Sequence, residues 1–166
     1  MSIHFDAFST IRRCSAIIPF TSHRKHKVNR QQGKTYVYDF TTYLKDSNAQ
    51  GNNYFARYFE WQGMCREAWF FECIAKDFLQ PLGVFITKQA HNEYQQETYP
   101  FQQVRCLLNT REVRKASFYI IFRFCDADKP DTVFSSGYQQ IAFLNHDHKI
   151  AKLPFLVVEK IREYSI

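Results

Sequence analysis

The feature that most constrains the fold is a long stretch without proline, residues 54–76, which reads YFARYFEWQGMCREAWFFECIAK. Projected at about 100° per residue, the stretch predicts a helix with a broad apolar face and a narrow polar stripe. Such a helix should be covered by other elements over most of its circumference. The apolar face contains Phe55, Tyr58, Phe59, Gln62, Arg66, Trp69, Phe70 and Cys73, and the stripe contains Arg57, Glu60, Met64 and Glu67.

Strand signals surround this helix. Aromatic and β-branched residues predict a strand before it and four long strands after it. The predicted strands are residues 35–44, 84–96, 104–113, 116–125 and 132–144, and a short helix follows Pro154. One helix followed by a run of strands predicts an α+β fold, with an antiparallel sheet of about five strands wrapped around the helix.

The loop before the helix and the glycine within it lead to two further predictions. The run DSNAQGNN, residues 46–53, is rich in turn residues, and Asn52 or Asn53 should cap the helix. Gly63 costs roughly 1 kcal/mol relative to alanine in a helix interior. We therefore expect another backbone to approach Gly63 closely.

The positive charge is concentrated at the N-terminus. Residues 1–34 contain seven Lys or Arg residues and one acid, Asp6, so they account for the whole net charge of +6. We predict a basic extension over 1–34 and one domain over 35–166. The favoured interpretation of the extension is a solvated tail. An organelle transit peptide or a contact with nucleic acid, an acidic protein or a membrane surface are the alternatives.

Cysteine and histidine spacing gives no sign of a metal centre. The five cysteines are odd in number, and no two of them have CxxC spacing, so we expect buried thiols in a reducing cytoplasm. His146 and His148 have no third ligand nearby, which favours a surface turn over a metal site. The apolar runs are too short for a membrane span.

Two positions suggest chemistry. Arg66 falls near the centre of the predicted apolar face, where a guanidinium needs an anion or several acceptors. It either binds a substrate group or is a structural residue that reaches solvent or a core carboxylate. Asn48 is either an ordinary turn residue or a polar group set beside a helix N-terminus, whose free N–H groups suit an oxyanion.

Residues 46–70, DSNAQGNNYFARYFEWQGMCREAWF, resemble the motif of hot-dog thioesterases of the 4-hydroxybenzoyl-CoA thioesterase type. The similarity is greatest to thioesterases of enediyne polyketide biosynthesis, which carry an Asn at the catalytic position and a helix that reads WQGxCRE. Residues 99–124 and 137–145 also resemble that subgroup. The resemblance implies a hot-dog fold, and homodimers or homotetramers with active sites at the dimer interface.

The resemblance assigns roles to six residues. The family's catalytic position corresponds to Asn48, its helix arginine to Arg66, and the backbone N–H that polarises the thioester carbonyl to Phe55. Three further positions should contact the substrate, namely Tyr58, Gly51 and Tyr54. Because an amide does not accept a proton at neutral pH, Asn48 should act by orientation and electrostatics. Glu67 is a rival base, but it projects about 100° away from Arg66, toward the polar stripe.

The implied activity is hydrolysis of an acyl thioester on an acyl carrier protein or coenzyme A, without metal or cofactor. An electrophilic β-ketoacyl (polyketide) group would suit a site that lacks a base. The alternatives are a non-catalytic module that binds an acyl chain or carrier protein, and an acyltransferase or dehydratase on the same fold. We expect no membrane association and no nucleic-acid substrate.

Overall fold

A computed structural model describes residues 33–74 and 83–166 of the chain. The predicted basic extension lies outside these residues except for Gly33 and Lys34, and so does the predicted end of the long helix at residue 76. Lys34 packs at the start of the described chain, where its backbone N–H donates to the carbonyl of Glu163 at 2.7 Å.

Five strands form one antiparallel sheet, as predicted. They are β1 (Tyr36–Thr41), β2 (Val84–Tyr94), β3 (Gln103–Arg111), β4 (Ser117–Asp126) and β5 (Val133–Leu144). Their order across the sheet is β1-β3-β4-β5-β2, so β1 and β2 are the edges. The long helix α1 (Arg57–Trp69) packs on one face, and the helix α2 (Phe155–Glu163) follows the last strand. The predicted α+β architecture is therefore confirmed.

The core lies between α1 and the sheet, and strand alternation builds it. In β4 every second side chain points inward because successive residues of a strand face opposite sides. Four of these side chains are fully buried, namely Phe118, Ile120, Phe122 and Phe124. They pack with the buried tryptophans of α1, Trp61 and Trp69.

The predicted start and cap of the long helix are wrong. The α-helix begins at Arg57, its N-cap is Ala56, and no side chain caps it. Asn53 is not a cap because its Oδ1, the atom that would accept a helix N–H, has no hydrogen-bond partner in the described part of the chain, while its amide donates to Thr98 Oγ1 at 3.0 Å. The Asn52 amide likewise donates to a carboxylate oxygen of Glu97 at 3.0 Å. Both asparagines therefore attach the preceding loop to the segment after β2.

The position predicted for Arg66 on the helix is also wrong. The buried residues of α1 are Tyr58, Trp61, Gln62, Cys65 and Trp69, so the buried face is rotated by roughly 60° from where the projection placed it. Arg66 lies at the edge of this face, with 23% of its side chain exposed. The helix is also less covered than predicted, since Phe55 is 56% exposed and Phe59 is 38% exposed.

Close backbone approach occurs at a different glycine from the one predicted. A Cβ added at Gly63 would meet no atom within 4 Å in the described part of the chain. At Gly137 in β5, by contrast, an added Cβ would lie 2.5 Å from Gln62 Nε2 and would overlap the backbone oxygen of His91. The glycine that this packing requires is therefore in the sheet.

The β2 edge is open along most of its length. Its burial pattern contains no buried residue, and its register with β5 shifts between Thr87 and Gln89. One stripe of α1, which contains Gln62 and Arg66, runs along this strand. Gln62 Nε2 donates to the His91 carbonyl, and Arg66 Nη1 donates to Thr87 Oγ1.

None of the helices in residues 33–74 and 83–166 is long and apolar enough to cross a membrane.

Candidate active site

The loop before α1 is a tight turn built around Asn48. The Asn48 backbone N–H donates to the Asn52 carbonyl at 2.9 Å, and Ser47 and Asn53 form an antiparallel bridge. Asn48 Oδ1 accepts a hydrogen bond from the Gln50 N–H at 2.8 Å. Gly51 completes the turn with φ +89, a conformation that favours glycine. With Oδ1 engaged, Asn48 keeps its Nδ2 donor, for which no described residue supplies an acceptor.

Thr98 anchors this loop to the helix. Its Oγ1 accepts from Asn53 Nδ2 at 3.0 Å and shares a hydrogen bond of 3.2 Å with the Tyr58 hydroxyl. Its carbonyl accepts the Asn53 N–H at 2.7 Å. All three residues are buried. The turn that carries Asn48 is therefore held rigidly against the first turn of α1.

The peptide at Phe55 is oriented by β2. The Tyr94 hydroxyl donates to the Phe55 carbonyl at 2.9 Å. The N–H of Phe55, a residue just before the N-cap Ala56 of α1, finds no acceptor among residues 33–74 and 83–166. This end of α1 therefore presents a free donor together with the positive end of the helix dipole.

A cleft of about 250 Å³, the α1 cleft, opens at the same place. Phe55, Tyr58 and Tyr94 form its aromatic wall. Tyr94 meets both other rings edge-on, at centroid distances of 6.3 and 5.4 Å. Its polar lining comes from Asn52, Asn53, Gln95, Gln96, Glu97 and Thr98. Apolar walls with a few polar groups are typical of a small-molecule site.

Tyr58 can serve only as a neutral group in this cleft. Burial raises the pKa of its hydroxyl to about 12, while the Thr98 hydrogen bond acts in the opposite direction. The hydroxyl is therefore protonated at neutral pH and cannot act as a base there.

Arg66 is held by neutral oxygens. Its Nη1 donates to Thr87 Oγ1 at 2.6 Å and to Gln139 Oε1 at 2.8 Å. Among the described residues, Glu67 brings a carboxylate within 4.0 Å of the guanidinium, with its Oε1 at 3.9 Å from Arg66 Nη2. Burial lowers the pKa of Arg66, and Glu67 acts against this shift. An arginine nevertheless remains protonated at neutral pH, so this side chain is a partly buried positive charge.

The predicted site residues do not form one cluster. Phe55 and Tyr58 line the α1 cleft, and the Tyr54 ring lies 4.7 Å from the Phe55 ring. Asn48 and Gly51 lie in the preceding turn and are not among the residues that line this cleft. Arg66 is not part of the α1 cleft. It lies nine residues beyond Arg57, roughly 14 Å along the helix axis. Glu67, the rival base, has a side chain that is 78% exposed, with a carboxylate oxygen 3.9 Å from Arg66 Nη2, and it is not among the residues that line the α1 cleft.

Sequence reasoning missed Thr98, Tyr94 and Gln139, which position the predicted residues. All three lie on strands or loops far along the chain from the motif in residues 46–70, and their positions in the sequence form no recognisable pattern. The described ranges contain no group of three His, Cys, Asp or Glu side chains that could hold a metal ion. His146 and His148 lie in an exposed turn.

Comparisons with known proteins agree on the type of fold. The family model described as the thioesterase-like superfamily matches residues 43–162. No curated protein matches the chain.

Solved structures extend this agreement. A structure of the dynemicin thioesterase has 22% identity and a TM-score of 0.74, covering 80% of this chain and 99% of its own. A 1,4-dihydroxy-2-naphthoyl-CoA thioesterase from Synechocystis has 14% identity and a TM-score of 0.71, covering 78% and 96%. A gentisyl-coenzyme A thioesterase has 18% identity and a TM-score of 0.68, covering 76% and 99%. At these identities the structures establish the hot-dog fold alone.

Proposed function

Because the chain belongs to the thioesterase-like superfamily, we propose that it hydrolyses an acyl thioester in the α1 cleft. The observation that carries the proposal is a pair of free donors in the segment that leads into α1. These are the N–H of Phe55, a residue that lines the cleft, and Nδ2 of Asn48 in the preceding turn, whose amide oxygen is already engaged. Donors fixed before the reaction are suited to a carbonyl oxygen that becomes negative in the transition state.

In the proposed reaction, water adds to the thioester carbon, the carbon–sulfur bond breaks, and the products are a carboxylic acid and a thiol. The Phe55 N–H and the helix dipole polarise the carbonyl. Asn48 Nδ2 donates to the same oxygen or orients the water. Tyr58, Tyr54 and Gly51 border the acyl group. Because Asn48 cannot take a proton, this site works without a general base, whose contribution is usually about 10²–10⁴-fold.

The proposed substrate follows from that missing base. A β-ketoacyl thioester has a more electrophilic carbonyl and needs less help from the enzyme. This chemistry agrees with the similarity of the loop and helix to enediyne-type thioesterases. A polyketide-like acyl chain is therefore the substrate class that we propose, carried on an acyl carrier protein or on coenzyme A in the cytoplasm. An acidic carrier protein would be attracted by the basic extension.

The proposed assembly is a homodimer or homotetramer with sites between subunits. The support for it is the open flank formed by β2 and the neighbouring stripe of α1. Phe55, Phe59, Val84, Ile86 and Tyr94 leave a large part of their apolar surface exposed on this flank. An unpaired edge strand with exposed apolar side chains is suited to pairing with a second copy. A second copy would also bring the Arg66 of one subunit closer to the α1 cleft of the other.

The test compares Asn48→Ala with Gln50→Ala in an assay of thiol release. Gln50 lies in the same turn, but its side chain makes no hydrogen bond in the described structure. We expect Asn48→Ala to lower kcat by roughly 10²-fold, the usual cost of losing one oxyanion donor, and Gln50→Ala to leave it unchanged. Equal turnover by Asn48→Ala and the wild type would refute the role given to Asn48.

The lack of a base also supports a second candidate, a module that binds acyl chains without cleaving them. This candidate predicts that an acyl thioester binds tightly and is recovered intact. Under the hydrolase proposal, the same incubation yields free thiol in proportion to time and to enzyme concentration.

A further inference from the structure

An unbroken series of hydrogen bonds connects Arg66 to the backbone of β2 through two buried amides. Arg66 Nη1 donates to Gln139 Oε1 at 2.8 Å, and Gln139 Nε2 donates to Gln62 Oε1 at 3.2 Å. Gln62 Nε2 then donates to the His91 carbonyl and to Asn92 Oδ1, both at 3.1 Å. Gln62 is 0% exposed and Gln139 is 4% exposed, although both lie in a core that is otherwise mostly apolar. We call Gln62 and Gln139 the amide relay.

The backbone of β2 sets the direction of this relay. A carbonyl oxygen only accepts, so the oxygen of His91 requires the NH₂ group of Gln62 to face it. The Gln62 oxygen must then face Gln139, and the Gln139 oxygen must face Arg66. Reversing Gln139 would place its NH₂ group against a guanidinium that only donates. Gly137 leaves the room that Gln62 needs, because a Cβ there would lie 2.5 Å from Gln62 Nε2.

The relay holds Arg66 without neutralising it. Buried guanidinium groups are usually paired with a carboxylate. Here both acceptors, Thr87 Oγ1 and Gln139 Oε1, are uncharged. Glu67 is 3.9 Å away and its side chain is 78% exposed, so solvent screens its charge. The guanidinium is therefore fixed in place by neutral oxygens and keeps its positive charge.

We propose that Gln139, oriented by Gln62, is a positioning residue that holds Arg66 through neutral contacts, so that its charge acts on an oxygen that becomes negative in the reaction. The role of that charge rests on the proposed thioesterase function and on the proposed dimer, because Arg66 lies outside the α1 cleft of its own subunit. The position of Arg66 does not, since it follows from the hydrogen bonds alone. A carboxylate in contact with Arg66 would hold it equally well but would compensate its charge.

The decisive experiment uses Thr87, which is exposed on the edge strand and contacts Arg66 directly. Thr87→Asn and Thr87→Asp have nearly the same shape and differ in charge, so each serves as the control for the other. With both variants folded, we expect kcat of Thr87→Asp to be at least about tenfold below that of Thr87→Asn, with little difference in KM. Equal kcat values for the two folded variants would overturn the proposal.

A second measurement, independent of turnover, tests the positioning role. We expect the two Nη groups of Arg66 to give separate NMR signals in the wild type, because Nη1 is held by two acceptors. In Gln139→Met these signals should merge, and in Gln140→Met, on the opposite face of β5, they should stay separate. Signals that stay separate in folded Gln139→Met would overturn the positioning role. A wild type with no turnover but with separate Nη signals would remove the thioesterase function and leave this role in place.

Discussion

Replacing Thr98 by valine should show how the site loop is held. The variant keeps the shape of the side chain and removes the hydroxyl that contacts Asn53 Nδ2 and the Tyr58 hydroxyl. Both partners are buried, and an unsatisfied buried polar group costs about 1–3 kcal/mol. With two such groups, we expect Thr98→Val to lower the free energy of unfolding by about 2–4 kcal/mol. Thr98→Ser keeps the hydroxyl and should cost about 1 kcal/mol for the lost methyl group.

Urea unfolding monitored by tryptophan fluorescence measures both variants. Tyr58→Phe removes one of the two partners and should cost about 0.5–1.5 kcal/mol alone, and less in the Thr98→Val background, where the contact is already lost. Because the loop carries Asn48, kcat for thioester hydrolysis should fall in Thr98→Val and persist in Thr98→Ser. If Thr98→Val were as stable and as active as Thr98→Ser, the anchoring role would be refuted.

Three further predictions concern packing, pH and assembly. Gly137→Ala should destabilise the fold by about 1–3 kcal/mol because its Cβ would overlap β2 and Gln62. Gly63→Ala should stabilise the fold by up to about 1 kcal/mol, because alanine is the better helix former and its Cβ meets no described atom. Thermal unfolding should therefore show a lower Tm for the first variant and a higher Tm for the second. Arg105 lowers the pKa of Asp39 through a hydrogen bond and its charge, so this pair stabilises the fold above the unfolded pKa of Asp39 and ceases to do so as pH falls through the folded pKa. Since both side chains are partly exposed, Asp39→Asn should cost less than about 1 kcal/mol at pH 7, and in urea unfolding this difference from the wild type should shrink as the pH is lowered. Ile86→Lys on β2 should shift the oligomer toward smaller species in light scattering, while Val37→Lys on the opposite edge β1 should not, and equal masses for both would contradict pairing along β2.

The sequence was sufficient for the architecture because the architecture follows from local composition and the order of the elements. Runs of aromatic and β-branched residues and the long proline-free stretch predicted the antiparallel sheet and its helix, and both are confirmed. The helix start was missed because Asn52 and Asn53, which have the residue type of a cap, are used by Glu97 and Thr98 instead. These partners come from another part of the chain, and local patterns contain no information about them.

The sequence singled out only those candidate site residues that lie in one continuous segment of the chain. The motif in residues 46–70 predicted the turn around Asn48 and singled out Arg66, and the roles of both residues stay predictions. The groups that position them, such as Thr98 and Gln139, lie on other strands, and sheet register brings them into contact. The helical projection placed the buried face roughly 60° too close to Arg66, because Phe59 is apolar and yet exposed.

The most direct test of the central claim is thiol release by the wild-type protein from acyl and β-ketoacyl thioesters, each presented on coenzyme A and on a carrier protein. The account predicts release from a subset of the panel, with the β-ketoacyl members cleaved fastest. A folded protein that binds these thioesters but releases no thiol from any of them would contradict the hydrolase assignment and favour the binding module.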